Sequence, residues 1–134
     1  MTAETLKKKT ILLVDDDIDY LNQMKWQISH FGFEVLTAES KKEALEILEA
    51  TKPDMAILDL MMETQDAGFV LAYKCKQMYP DVPVAIATSV TRDTGIKFEM
   101  DRESNRSWVK ADIFMEKGIR SDQLHREINR LLKL

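Results

Sequence analysis

Five short apolar runs, separated by stretches with helical periodicity, limit this chain to a small set of folds. The runs have strand length, and most of them lack the polar alternation of a strand with one face in water. Strands that alternate with helices at this spacing are joined by right-handed crossovers and form a parallel sheet. We therefore expect a doubly wound, flavodoxin-like α/β fold, in which a five-stranded parallel sheet of order 2-1-3-4-5 carries helices on both faces. The predicted strands are Ile11–Val14, Phe33–Ala38, Met55–Leu58, Val82–Ala87 and Asp112–Met115, the second of them at an edge.

Helical periodicity fills most of the intervals between these runs. The first apolar stripe ends at Gly32, a candidate for the left-handed residue that follows a helix. Ser40 and Glu43 form a capping box that begins the second helix, and Ser121 is predicted to cap the last one. The stripes consist of Ile18, Leu21, Met24, Ile28 and Phe31 in the first helix, Ala44, Leu45, Ile47 and Leu48 in the second, and Leu124, Ile128, Leu131 and Leu132 in the last.

The remaining intervals are less regular. A third helix is expected from about Phe69 to Tyr79, because Pro80 stops it. Residues 89–111 fit neither a helical nor a strand period and include a wholly polar run. We expect a short helix and an extended loop there.

Length and composition indicate one ordinary domain. With 134 residues, 45% of them hydrophobic and 31% charged, the chain can bury its own core. We expect a single domain over residues 1–134, with a polar extension at residues 1–8 and no output domain. A net charge of −4 argues against a nucleic-acid surface. The single Cys75 suits a reducing compartment, and no stretch approaches the roughly 20 apolar residues of a membrane span. We therefore expect a cytoplasmic protein without nucleic-acid or membrane partners.

Four of the apolar runs lead directly into side chains that can bind ions or carry out chemistry. Asp15 and Asp16 follow the first run, Asp59 the third, Thr88 the fourth and Lys117 the fifth. Parallel strands bring their carboxyl ends to one edge of the sheet, and ligands of this fold class bind there. We therefore expect these side chains to form one site.

The expected site holds an excess of negative charge. Three carboxylates held together repel one another at neutral pH, and a divalent cation with oxygen ligands relieves the repulsion. Mg²⁺ suits a site with few carboxylates and several waters. The hydroxyl of Thr88 and the ammonium of Lys117 complete a cradle for a phosphoryl group, with Asp59 as the nucleophile. The residues thus predict Mg²⁺-dependent phosphoryl chemistry on Asp59.

The same stretches resemble the receiver domain of two-component response regulators. The resemblance covers nearly the whole chain and rests on the order and spacing of Val14-Asp15-Asp16-Asp17, Ile57-Leu58-Asp59-Leu60-Met61-Met62, Ala87-Thr88-Ser89 and Glu116-Lys117. It implies a stand-alone receiver whose phosphoacceptor is Asp59. By the same resemblance, the metal ligands are Asp15, Asp16, Asp59 and the backbone carbonyl of Met61, the phosphoryl-contacting residues are Thr88 and Lys117, and the conformational switch involves Thr88 and Phe114.

The resemblance also implies partners. A receiver takes its phosphoryl group from the phosphohistidine of a sensor histidine kinase or of a histidine phosphotransfer protein. It then alters the face of its fourth and fifth helices, and so docks a downstream protein or acts in a phosphorelay. It is a signalling domain and not an enzyme, since it assists only its own phosphorylation and dephosphorylation.

Three features depart from the family pattern. The family commonly has Pro-Gly in the loop after the phosphoacceptor, whereas residues 63–67 belong to a loop at least one residue longer. Gly118 replaces the proline that usually follows the lysine, and we predict a trans Lys117–Gly118 bond. Met61 and Val90, which would flank the attacking water, are apolar. We predict slow self-dephosphorylation, because neither side chain can orient that water.

A metal-dependent phosphohydrolase is the alternative function. Such enzymes place an aspartate nucleophile after their first strand, and Asp15 and Asp17 provide the required Asp-x-Asp pair. They also require Thr or Val two residues beyond, where this chain has Asp19, and a substrate-covering cap for which 134 residues leave no room. The receiver interpretation is therefore preferred.

Overall fold

The computed structural model describes residues 8–62, 67–89 and 111–134, and within these ranges five strands form one parallel sheet. They lie in the order β2-β1-β3-β4-β5, which confirms the predicted fold class and the edge position of β2. Strand β4 begins at Val84 instead of Val82, because Pro83 has no N–H to donate to a neighbouring strand. The strands are β1 (Thr10–Val14), β2 (Glu34–Ala38), β3 (Met55–Asp59), β4 (Val84–Thr88) and β5 (Ile113–Glu116).

The described residues include the helices α1 (Ile18–His30), α2 (Lys41–Ala50), α3 (Ala67–Met78) and α4 (Ser121–Leu132). Gly32 follows α1 with a φ of 101°, a conformation that glycine adopts without strain. Ser40 Oγ accepts the N–H of Glu43 at 3.1 Å, and the Glu43 carboxylate accepts the N–H of Glu39. The predicted ends of these two helices are thus confirmed. None of the four helices has the length and apolar character needed to cross a membrane.

Two predictions about helix ends are wrong. Ser121 does not cap α4, because Arg120 still has an extended backbone and occupies the N-cap while Ser121 is already helical. The side chain of Arg120 makes no capping hydrogen bond. Ile18 is 45% exposed and lies outside the buried stripe of α1. As the first residue of the helix, it leans back toward the N-terminus, where less of the sheet lies beneath it.

Successive side chains of a strand point to opposite faces of the sheet, and both faces are covered by helices from the described part of the chain. Helices α2 and α3 cover one face, and α1 and α4 cover the other. Strands β1, β3 and β4 are buried on both sides, so their carboxyl ends are held in fixed relative positions. The α2–α3 core includes Leu12, Val14, Leu48, Leu58, Leu71 and Ile86, and the α1–α4 core includes Ile11, Leu13, Leu21, Ile28, Ile57, Leu124 and Ile128.

Candidate functional site

The carboxyl ends of β1 and β3 bring the predicted acidic residues together. Val14 pairs with Leu58 in the parallel register, so Asp15 and Asp59 are the next residues along two neighbouring strands. Asp16 follows at the start of the connection to α1. Carboxylate oxygens of the three aspartates lie within 4.8 Å of one another. Asp15 and Asp59 are buried and Asp16 is exposed, so the cluster opens to solvent on one side.

The ammonium of Lys117 lies against two of these carboxylates. Its Nζ is 2.9 Å from Asp15 Oδ2 and 3.0 Å from Asp59 Oδ1. Lys117 is brought there by its own backbone N–H, which donates to the carbonyl of Thr88 at 2.8 Å and ties the segment after β5 to β4. Three residues predicted from separate strand ends are thereby in direct contact.

The buried carboxylate oxygens are poorly compensated by the protein. Lys117 Nζ lies at ion-pair distance from Asp15 Oδ2 and Asp59 Oδ1, whereas Asp59 Oδ2 has no hydrogen-bond partner within the described residues. Burial, followed by the charge of Asp15, raises the pKa of Asp59 to about 7 against the opposing effect of Lys117. Burial by itself lowers the pKa of Lys117, but the two carboxylates outweigh it and raise that pKa.

This donor set fits a divalent cation. One ammonium cannot neutralise three carboxylates, and the buried Asp59 Oδ2 has no hydrogen-bond donor among the described residues. Hard oxygen donors with uncompensated charge are the ligands that Mg²⁺ and Ca²⁺ prefer. The cluster could therefore bind a metal ion, as the sequence predicts.

Thr88 lies at the same edge of the sheet. Asp59 pairs with Ala87 in the register of β3 and β4, so Thr88 stands one residue further along the neighbouring strand. It is buried, and its hydroxyl donates to the carbonyl of Met115 at 3.4 Å, which is long for a hydroxyl hydrogen bond. A weak bond of this kind leaves the hydroxyl able to change partner at low cost.

Phe114 and Met61, the remaining predicted site residues, pack their half-buried side chains against the α2–α3 core. The Phe114 ring meets the ring of Phe69 edge to face, with centroids 6.1 Å apart. Met61 is the second residue after Asp59. Val90, which the family resemblance places beside the attacking water together with Met61, lies outside the described residues.

Two other predictions near the site can be assessed. The Lys117–Gly118 peptide bond is trans, as predicted. Asp17 is the N-cap of α1, where its carboxylate accepts the N–H of Tyr20 at 3.2 Å. Within the part of the chain that the structure describes, Asp17 does not join the cluster of Asp15, Asp16 and Asp59.

Two residues that were not predicted also contact the site. The ring centroid of Tyr20 lies 5.1 Å from Lys117 Nζ. Gly68 approaches the end of β3 so closely that a Cβ there would stand 2.6 Å from the carbonyl oxygen of Asp59. In the sequence Tyr20 falls in the first helical turn after the Asp17 cap, and Gly68 falls in the first turn of the helix that follows the loop after Asp59, but neither position by itself indicates a contact with the site.

Comparisons with known proteins agree with this geometry. A family model described as response regulator receiver domain matches residues 11–129. The probable transcriptional regulator ycf27 of Cyanophora paradoxa is 33% identical over 100 residues, which are 72% of this chain and 41% of the relative. The chain therefore spans about two fifths of the length of that relative.

Solved structures show the same fold. A CheY-like response regulator receiver domain protein from Methanospirillum hungatei superposes with a TM-score of 0.78 at 22% identity, covering 95% of both chains. The response regulator TrrA from Thermotoga maritima, solved in complex with Mg²⁺-BeF, superposes with a TM-score of 0.75 at 25% identity. That comparison covers 92% of this chain and 98% of TrrA.

Proposed function

Because this chain belongs to the response regulator receiver family of two-component systems, we propose that Asp59 accepts a phosphoryl group from a phosphohistidine in a reaction that requires Mg²⁺. The observation that carries the proposal is the environment of the Asp59 carboxylate. It is fully buried, contacts the ammonium of Lys117, and lies within 4.8 Å of the carboxylates of Asp15 and Asp16. These are the groups that a phosphoryl acceptor needs around it.

We assign the metal ligands to Asp15, Asp16 and Asp59, together with the backbone carbonyl of Met61. Bound there, Mg²⁺ supplies positive charge beside the nucleophile and the phosphoryl oxygens. The TrrA structure, a complex with Mg²⁺-BeF at 25% identity, supports the choice of this ion. The buried Asp59 Oδ2, which has no hydrogen-bond partner among the described residues, supports it independently.

In the transfer, a carboxylate oxygen of Asp59 attacks the phosphorus of the phosphohistidine. The new O–P bond forms, the P–N bond breaks, and its electron pair stays on the imidazole nitrogen. The ammonium of Lys117 moves from Asp59 Oδ1 to one phosphoryl oxygen. The hydroxyl of Thr88 leaves the Met115 carbonyl and donates to a second phosphoryl oxygen. These two donors stabilise the negative charge of the transition state.

The same exchange of partners supplies a signal. When the Thr88 hydroxyl leaves the Met115 carbonyl, β5 loses a contact with β4, and Phe114 lies on β5 beside that contact. We propose that Thr88 and Phe114 form the switch that alters the surface around β5. The altered surface docks a downstream protein or acts in a phosphorelay, and the donor is a sensor histidine kinase or a histidine phosphotransfer protein. A cytoplasmic location and the absence of nucleic-acid and membrane partners stay predictions from the sequence.

The test is incubation of the purified chain with Mg²⁺ and acetyl phosphate, followed by measurement of the intact mass. The P–O bond of acetyl phosphate breaks, and acetate departs with its electron pair. Because acetyl phosphate is itself the phosphoryl donor, no partner protein is required. The parent should gain one phosphoryl group, and EDTA or the substitution Asp59→Asn should abolish the gain. Asp81→Asn, which removes an exposed aspartate outside the site, is the control and should behave like the parent. A parent chain that gains no phosphoryl group contradicts the proposal.

The same samples separate a receiver from a metal-dependent phosphohydrolase that uses Asp15 and Asp17. A phosphohydrolase turns over phosphoesters and loses this activity in Asp15→Asn and in Asp17→Asn. The receiver turns over none. The capping role of Asp17 at α1, outside the carboxylate cluster, favours the receiver.

A further inference from the structure

The Lys117 ammonium has a third neighbour besides the two carboxylates, and this neighbour is an aromatic ring. Its Nζ lies 5.1 Å from the ring centroid of Tyr20, within the range at which an aromatic face attracts a cation. The same Nζ contacts Asp15 and Asp59 at 2.9 and 3.0 Å. Two anions and one π face therefore surround the ammonium, and the Lys117 side chain is only 18% exposed.

Tyr20 is anchored at its backbone and at its ring. The backbone N–H donates to Asp17 Oδ1 at 3.2 Å, which fixes the residue in the first turn of α1. The ring packs against the α1–α4 core. Because both parts are held, the ring offers a fixed surface to a side chain that is itself flexible.

The lysine needs such a surface. A lysine stem has four rotatable bonds and loses much conformational freedom when its ammonium is held in one place. The N–H of Lys117 donates to the Thr88 carbonyl, and the N–H of Ile119 closes a turn onto the Glu116 carbonyl at 3.1 Å. These bonds fix the backbone of Lys117 but not its side-chain torsions, which are restricted by the contacts of the ammonium with Asp15, Asp59 and the ring of Tyr20.

We propose that Tyr20 is a positioning residue for phosphoryl transfer, whose ring holds the Lys117 ammonium between Asp15 and Asp59, where it meets the incoming phosphoryl oxygen. The proposal rests on the proposed function of Asp59. The ring also keeps water from one side of the ammonium, and a less hydrated charge attracts the phosphoryl oxygen more strongly. Tyr20 acts entirely through Lys117.

Three substitutions isolate the contribution of the ring. Tyr20→Leu removes the ring, and Tyr20→Met is a second ring-free variant that fills the space differently. Tyr20→Phe keeps the ring and removes only the hydroxyl. Met24→Ala is the matched control, because it removes a buried side chain one turn further along the same helix. Urea unfolding of each variant establishes that it is folded under the assay conditions.

The first readout is the acetylation of Lys117 by acetic anhydride in EDTA, followed by peptide mass spectrometry with the exposed Lys42 as internal reference. Loss of the ring should raise the Lys117 labelling rate about five-fold relative to Lys42, the factor that a cation–π contact of ordinary strength accounts for. Tyr20→Phe and Met24→Ala should label like the parent. This readout requires no phosphorylation.

The second readout is the rate of phosphoryl gain from acetyl phosphate in the presence of Mg²⁺. Both ring-free variants should be slower by about five-fold, and Tyr20→Phe should restore the parental rate. In a Lys117→Gln background, Tyr20→Leu should have no further effect, because the ring acts through the ammonium. Such a coupling is not expected of a residue that only stabilises the fold.

Either readout can overturn the proposal. The proposal is contradicted if both ring-free variants show the labelling and the phosphorylation rate of the parent. It is also contradicted if Tyr20→Phe or Met24→Ala changes these rates as much as the ring-free variants do. If the parent gains no phosphoryl group at all, the proposed function of Asp59 fails, while the acetylation of Lys117 still decides whether the ring holds the ammonium. The two failures are therefore distinguishable.

Discussion

Buried at the end of β3 beside Asp15, the Asp59 carboxylate keeps its proton up to about pH 7. The unfolded chain loses that proton near pH 3.8. Between these values the folded state binds more protons than the unfolded state, so the free energy of unfolding decreases as the pH rises. Above pH 7 the metal-free protein carries the full cost of a buried charge that Lys117 only partly offsets.

Asp59→Asn should therefore stabilise the metal-free protein at pH 8. The gain in the free energy of unfolding should be on the order of 2 to 4 kcal/mol, because the pKa shift covers about three units. At pH 3.5, below both pKa values, the parent and the variant should have nearly equal stability. Urea unfolding in EDTA at the two pH values measures the difference. A variant that is no more stable than the parent at pH 8 contradicts the pKa shift.

Met61 should lengthen the lifetime of the phosphorylated state. Its apolar side chain stands two residues after Asp59 and cannot orient an attacking water. Met61→Asn supplies an amide and should shorten the half-life of the acyl phosphate by up to about ten-fold. Met62→Asn is the control, since both methionines pack against the α2–α3 core. Removal of unreacted donor followed by intact-mass measurements gives the half-life, and an unchanged or longer lifetime in Met61→Asn removes the idea.

The position at which helix α1 begins determines where Tyr20 lies relative to the site. The Asp17 carboxylate caps its first turn, and this cap places Tyr20 over the ammonium of Lys117. The other end of α1 closes at Gly32. The connection from β1 to α1 thus provides carboxylates from Asp15 and Asp16 and an aromatic face from the helix, all within six residues.

The junction between β3 and α3 is equally tight. A Cβ on Gly68 would stand 2.6 Å from the carbonyl oxygen of Asp59 and 2.7 Å from the Cα of Leu60. Both are backbone atoms, which cannot move aside by a side-chain rotation. Gly68→Ala should therefore lower the free energy of unfolding by roughly 2 to 3 kcal/mol, as overpacking does elsewhere. Gly118→Ala, which meets nothing within 4 Å, should change it by less than about 0.5 kcal/mol. If urea unfolding gives the two variants equal stability, Gly68 does not approach the backbone of Asp59 and Leu60 this closely.

Helix α4 lacks a side-chain cap and can be improved. Arg120 occupies the N-cap, and its exposed ion pair with Asp122 contributes little in water. Arg120→Asn provides a side-chain acceptor for an N–H group of the first turn and should raise the free energy of unfolding by about 0.5 to 1 kcal/mol. Ser40→Ala, which removes the existing cap of α2, should lower it by about 1 kcal/mol. If Arg120→Asn is no more stable than the parent while Ser40→Ala is weakened, Arg120 is not a true N-cap.

Across the whole molecule, the features set by local pattern were predictable from the sequence. The apolar runs that became β1, β3 and β4 are buried on both faces, which the absence of polar alternation indicated. The strand order follows from crossover connections, and it brings Asp15, Asp59, Thr88 and Lys117 to one edge. The carboxylate cluster was predictable because a residue directly after a buried parallel strand has little choice of position.

The features that depend on tertiary geometry were not predictable. Ser121 and Arg120 are adjacent, and only the path of the chain after β5 decides which of them begins α4. The contact between Tyr20 and Lys117 joins residues almost a hundred positions apart, which no local period encodes. The close approach of Gly68 to Asp59 depends on the distance between two backbones after packing. The departures from prediction therefore concentrate where one element meets another.

The central claim is that the carboxyl edge of this sheet is a phosphoacceptor site built around Asp59, and locating the modified residue tests it most directly. Borohydride reduction converts an aspartyl phosphate into homoserine, and peptide mass spectrometry identifies its position. After incubation with Mg²⁺ and acetyl phosphate, the chain should contain homoserine at position 59 and at no other aspartate, and none when EDTA is present. Homoserine at position 15 or 16, or none in a chain that has gained a phosphoryl group, would contradict the account.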